Sequence, residues 1–296
     1  MNAPSSLSDL VSAELAQPVD PRVGAMAAAL AAEYPKAARA VLFYGSCLRQ
    51  RELDGLMLDF YLIVSDYRDA YDSSWLVFAN KAVPPNVFPF EHDGLIAKYA
   101  VLSEEDFARE CGIDAGSVSV WARFAQPSRL VWTKDAAADA GVAASVANCA
   151  PTLFALTLPT MADGETDPLA VFRAGFALTY GAELRAERSA RSGSIVDADS
   201  TYYERIGGAV LAGGVADAGT NASASAWRRR RIGGKALTLL RLAKATTTFA
   251  GGVDYIAWKI NRHAGTVIEV KPWQRRWPIL GALTLLPRLW RGGAIR

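Results

Sequence analysis

Asp59 is the carboxylate that first invites chemistry. It lies in the run MLDFYLIV (57–64), whose other side chains are apolar or aromatic. A charge in such a strand is costly unless it meets a cation, a metal or hydrogen-bond donors. Ahead of it, the run VLFY ends on Gly45-Ser46. A glycine after a strand lets the backbone approach a phosphate closely, and the serine adds an N–H and a hydroxyl. Together they make a frame for holding a polyphosphate and its metal ion. The plainer reading of the same residues is an ordinary turn beside a buried ion pair. In the complete frame a second acid follows two residues on, on the same face of the strand. Here that position is Tyr61, and a neutral phenol is a poor Mg²⁺ ligand.

Cations that would serve such a site occur in two places. Lys98 stands in the apolar run LIAKYAVL, where it either neutralises a phosphate or carries its ammonium out to solvent. In WRRRRIGGKALTLLRLAKATTTFAGG, Lys235, Arg241 and Lys244 follow one another along a helix that runs into small residues and paired glycines. That pattern suits polyphosphate binding, with a solvated basic face as the alternative. Lys259, Arg262 and His263 add charge further on. The stretch VPPNVFPFE is either a loop facing a base or lipid, or a rigid turn.

These residues need elements to place them. The spacing predicts a helix within 21–40, buried strands at 39–46 and 56–64, and a helix over 67–82 with Trp75, Phe78 and Ala79 on one face. A hairpin turning at EHDG ends in LIAKYAVL, and Ser103 caps a helix with an acidic first turn. A further helix and the strand SRLVWT fill 116–131. Ala-rich helices are expected at 136–158, 167–188 and 200–213, a flexible loop at 211–226 and a last helix at 227–263. The pattern is an α/β domain over residues 1–135, an all-α domain over 136–265 and a basic, Trp-rich tail over 266–296.

With 296 residues, 51% of them apolar, the chain has enough material for a real core. Three cysteines without metal-ligand spacing point to a reducing compartment, and two histidines argue against a Ser-His-Asp hydrolase or a histidine-rich metal site. The first residues lack the basic region of a secretory signal, and no run of about twenty uncharged apolar residues is expected to span a bilayer. Net charge is only +2, yet beyond Trp227 the acids are Asp254 and Glu269 alone. So basic a tail calls for an anionic partner: nucleic acid, nucleotide or lipid headgroup.

The segments FYGSCLR with MLDFYLIV, PPNVFPFEHDGLIAKYAVLSEEDF, LTYGAELRAE and RLAKATTTFAGGVDYIAWKI, in that order over roughly residues 40–265, resemble the mitochondrial phosphatidate cytidylyltransferases and their bacterial relatives. The resemblance implies a nucleotidyltransferase-like domain with a mixed sheet, closed by a helical domain. It implies the Mg²⁺-dependent reaction of CTP with phosphatidate to give CDP-diacylglycerol and pyrophosphate. By position, Gly45 and Ser46 would bind the triphosphate, and Asp59, Lys98 and Ser46 would be catalytic. Asp59 would hold the metal, with Asp66, Asp54 or a phosphate oxygen as companion ligand. Lys235, Arg241 and Lys244 would supply the basic helix. Ala100 after Tyr99 and Cys47 after Gly-Ser depart from the family, both by small residues.

The missing second acid has a chemical rationale. A hydroxyl acceptor must lose a proton as it attacks, whereas a phosphate monoester with a second pKa near 6 is already anionic at neutral pH. The tail KPWQRRWPILGALTLLPRLWRGGAIR has the composition of an interfacial helix on anionic lipid. Trp273, Arg275, Arg276, Trp277, Arg288 and Trp290 are its membrane-binding residues, unless the segment packs on the core instead. The expectation is a peripheral protein on the cytoplasmic face of a membrane, with no nucleic-acid partner. The alternatives are a nucleotidyltransferase with another acceptor (polar lipid, sugar or tRNA) and a catalytically silent lipid- or nucleotide-binding relative.

Overall fold

The computed structural model describes residues 6–49, 52–182, 191–248 and 270–273. Arg275, Arg276, Trp277, Arg288 and Trp290 of the tail lie outside them, as do Lys259, Arg262 and His263.

Five strands form one mixed sheet: β1 (Ala38–Tyr44), β2 (Met57–Val64), β3 (Asn86–His92), β4 (Leu95–Ser103) and β5 (Ser128–Thr133), in the order β3-β4-β2-β1-β5. β2 and β4 are parallel and the other neighbours antiparallel. The three inner strands read as nearly continuous apolar runs because both their faces are covered. Pro89 cannot donate to a ladder, and it lies on the edge strand β3, where one side needs no partner. The β3–β4 hairpin turns on Asp93-Gly94, both at positive φ (47° and 76°) as a two-residue turn of this hand requires.

The helices are α1 (Leu7–Leu15), α2 (Pro21–Ala32), α3 (Tyr67–Ala70), α4 (Ser74–Ala82), α5 (Glu104–Cys111), α6 (Trp121–Phe124), α7 (Ala136–Ala147), α8 (Cys149–Thr157), α9 (Pro168–Ala182), α10 (Arg191–Asp197), α11 (Ser200–Gly213) and α12 (Ala224–Thr248). The chain is therefore α/β. One face of the sheet, with Val41, Phe43, Phe60 and Leu62, packs on Val23, Met26 and Leu30 of α2. Asp20 caps that helix and Pro21 opens it. The other face, with Leu42, Tyr61, Ile63 and Leu102, packs on Phe107, Trp121, Phe124 and Leu153. The same apolar cluster runs on to Phe172 and Phe176 of α9, Tyr203 of α11 and Trp227 of α12. Ser103 caps α5 as expected, its side chain accepting from the Asp106 N–H.

Three expectations need correction. The helix over 67–82 is broken: Tyr71 is extended and buried against Phe88, and the chain restarts as α4. Ala79 is buried, whereas Trp75 and Phe78 stand 53% and 63% exposed. The segment Ala136–Thr160 is long and apolar enough to cross a membrane, contrary to the reading that no such run exists. It turns at Asn148, ends in a 3-10 turn at Leu158–Thr160, and has 61% of its apolar window buried in the fold. The 211–226 loop is shorter and more ordered than its composition implied. α11 extends to Gly213, a 3-10 turn spans Gly219–Ala222, and Ala218 and Ala222 are buried.

Candidate functional site

The sheet itself gathers the key residues. β1 ends at Tyr44, which pairs with Asp59 on β2, and Asp59 lies in register with Lys98 on the parallel strand β4. Three adjacent strands thus bring the Gly45 turn, the carboxylate and the ammonium to one end of the sheet. Lys98 Nζ lies 2.8 Å from Asp59 Oδ1, with the side chains 31% and 18% exposed. Lys98 is therefore engaged with Asp59 and is not merely a charge carried out to solvent.

Gly45 has φ +94°, a region that L side chains rarely adopt. A Cβ there would also stand 3.2 Å from Asp59 Oδ2. The glycine is needed twice, once to make the turn and once to give the carboxylate room. Ser46 follows at the exposed start of a 3-10 turn, Ser46–Arg49. Cys47 tucks beneath, its Sγ 3.5 Å from the Met57 carbonyl. Burial, then the nearby Asp59 charge, pushes its thiol up, so it is no ready nucleophile.

Tyr61 occupies the second-acid position for a packing reason. It is 2% exposed, and its ring lies 5.3 Å from Tyr44 and 5.2 Å from Phe124. Two residues further along the strand than Asp59, the same face has already entered the core. A carboxylate there would sit among aromatic rings with no solvent.

Other sequence candidates go elsewhere. Asp66 is not a companion ligand: it caps α3 at the opposite end of β2, accepting from the Arg68 N–H at 2.7 Å. The strand rise puts it roughly 20 Å from Asp59. Asp54 is well exposed and pairs with Arg22 at 2.9 Å. Lys235 is exposed on α12. Arg241 donates from Nε to the Pro84 carbonyl (2.6 Å) and from Nη1 to Ser119 Oγ (2.7 Å). Lys244 Nζ donates to the carbonyls of Pro85 (2.8 Å), Val83 and Ala79 (3.4 Å). These two cations clamp α12 onto the loop before β3. That loop leads into the Asn86–Val101 pair, three positions along β4 from Lys98 and on the order of 10 Å away. The basic helix is not gathered with Lys98 around Asp59, which corrects the expectation of a single phosphate cradle. Sequence reasoning missed the targets of the clamp, because backbone carbonyls carry no side-chain signature. It also missed Ser119, one polar residue in a buried turn.

The clamp makes a pH prediction. Burial, with the Arg241 charge beside it, lowers Lys244 from the ordinary 10.5 to about 7. Between those values the unfolded chain holds the proton more firmly than the folded one. The cost of burying this charge is therefore complete below about 7 and is relieved as pH rises toward 10.5. Thermal melts of wild type and Lys244→Met, compared from about pH 6.5 to 9, are expected to move in favour of the wild type as pH rises. A pH-independent difference would show that Lys244 keeps its proton in the fold.

An Mg²⁺ ion fits the site in a limited way. Among the described residues no group of three His, Cys, Asp or Glu side chains converges. Asp59 holds Lys98 through Oδ1 and turns Oδ2 toward the Gly45 turn. Mg²⁺ is commonly bound by one or two carboxylates together with substrate phosphates and water. One carboxylate oxygen facing the Gly45 turn suits a metal that brings its other ligands with it. A recess of about 370 Å³ between α9 and α12, lined by Met161, Ala174, Leu178 and Arg231 among others, contains none of the residues around Asp59. Comparison of the chain with protein-family models and with curated proteins gives no match.

Proposed function

We propose that this chain is a nucleotidyltransferase-like enzyme that joins CTP to phosphatidate, giving CDP-diacylglycerol and pyrophosphate. The observation that carries this reading is the convergence of Gly45, Asp59 and Lys98 at one end of the sheet. In this reading the Gly45-Ser46 turn receives triphosphate oxygens through its N–H groups and the Ser46 hydroxyl. Asp59 would hold the nucleotide's Mg²⁺, which would neutralise charge on the triphosphate. Lys98 orients Asp59 through their 2.8 Å contact and adds positive charge beside the reacting phosphates. An anionic oxygen of phosphatidate forms the new bond to the α-phosphorus as the bond to the β-phosphate oxygen breaks. Pyrophosphate takes that electron pair. The nucleophile carries no proton at neutral pH, so no side-chain base is required where Tyr61 stands. Helices from residue 136 onward would close the cleft, and the tail with Trp273 would hold the protein on the cytoplasmic face of the membrane.

Purified protein is expected to release pyrophosphate only when Mg²⁺, CTP and phosphatidate in mixed micelles are all present. Release with another nucleoside triphosphate, or with a sugar or RNA acceptor, would keep the reaction class and replace the substrate.

A second reading is a silent nucleotide- or lipid-binding relative. The 2.8 Å Lys98–Asp59 pair favours it, because that contact already gives Asp59 Oδ1 a cation from the protein itself. Calorimetric binding of a nucleotide with no turnover under any acceptor would select it.

A further inference from the structure

Among the described residues, five of the seven large apolar side chains that stand exposed lie on α4 and α12: Trp75, Phe78, Ile232, Leu239 and Leu240. The two helices contain no acidic residue between them. On α12 the helical repeat sets Ile232 and Leu239 on the outward stripe, with exposed Arg228 and Lys235 along one flank and Arg229 and, about three turns on, Leu240 along the other. On α4 the exposed pair Trp75 and Phe78, with ring centroids 5.9 Å apart, is followed by exposed Lys81. The two patches adjoin. Lys244 Nζ reaches the carbonyl of Ala79, the residue after Phe78, and Leu240 lies one turn before Lys244 on that side of α12.

Exposed aromatic and aliphatic side chains on two helices that carry cations and no acids match the headgroup boundary of an anionic bilayer. An apolar patch awaiting a protein partner has no need of basic flanks without acids, whereas negative lipid rewards them. We infer that the outward faces of α4 and α12 form a membrane-docking surface, with Trp75 and Phe78 inserted among the acyl chains and Arg228, Arg229 and Lys235 at the phosphates. This deepens the peripheral-membrane part of the proposed function and rests on it. It does not use the tail beyond residue 273.

The test is co-sedimentation of the full chain with phosphatidylcholine vesicles, with and without about 30 mol% phosphatidylglycerol. The wild type is expected to prefer the anionic vesicles. Trp75→Ala/Phe78→Ala and Arg228→Gln/Arg229→Gln are each expected to lower that partitioning about tenfold or more, with unchanged melting. Turnover of a short-chain, water-soluble phosphatidate should be unaffected by either change. Wild-type partitioning in both variants would overturn the docking surface while leaving the peripheral reading, since the tail would then carry the binding. Absence of vesicle binding by the wild type would sink both. A dimer that the aromatic variant dissociates, with vesicle binding intact, would show that this face pairs copies of the chain and overturn the inference.

Discussion

Asp59→Asn is expected to lower CTP turnover by at least about a hundredfold while the chain remains folded, because the charge that meets the nucleotide's metal is lost. Asparagine keeps the shape that fits beneath Gly45, in the room that the missing Cβ leaves. Lys98 loses its counter-ion, but it is 31% exposed and can draw water. The stability cost should therefore stay near 1–2 kcal/mol, below that of breaking a fully buried pair. Steady-state pyrophosphate release as a function of Mg²⁺ is the measurement, with a thermal melt as control. Turnover within about threefold of wild type would remove Asp59 from the chemistry and leave the ion pair as a structural feature.

Two adjacent glycines are expected to respond in opposite directions to alanine. At Gly234 a Cβ would stand 2.2 Å from the Ala182 carbonyl oxygen, which is backbone and cannot rotate away. Gly234→Ala must push α12 off α9, at a cost that exceeds the gain of about 1 kcal/mol in helix propensity. A net loss of about 2 kcal/mol, or a fall in Tm of about 5 °C, is the expected result. At Gly233 nothing lies within 4 Å of the same added atom. Gly233→Ala should keep the propensity gain and stabilise by about 0.5–1 kcal/mol. Differential scanning calorimetry of both variants decides the matter, and similar shifts in both would refute the close α9–α12 crossing. The Gly234 change should also weaken the Arg241 and Lys244 clamp, because those side chains depend on how α12 crosses the sheet edge.

The local elements were largely legible because their signals are local. The hairpin turn at Asp93-Gly94, the Ser103 cap, β1, β2 and β5 each follow from a few neighbouring residues. The break at Tyr71 was not legible. It depends on Phe88, a residue on a later strand that receives the tyrosine ring. The exposure of Trp75 and Phe78 was hidden for a related reason. Periodicity reports which side chains share a face of α4, and only the neighbours decide which face is covered.

By itself, the sequence determined an α/β fold, a Gly-Ser turn after one strand and a lone acid in the next. These rest on backbone preference and apolar patterning, which act over a few residues. The tertiary structure decided which charges meet. It brought Asp59 to Lys98 through parallel pairing of β2 with β4, and sent Asp66 to the far end of the same strand. It also fixed Arg241 and Lys244 on the carbonyls of the loop before β3. Strand order and helix crossing are set by how apolar faces from distant segments close over one another, and a charged side chain then takes the partner that this packing leaves beside it.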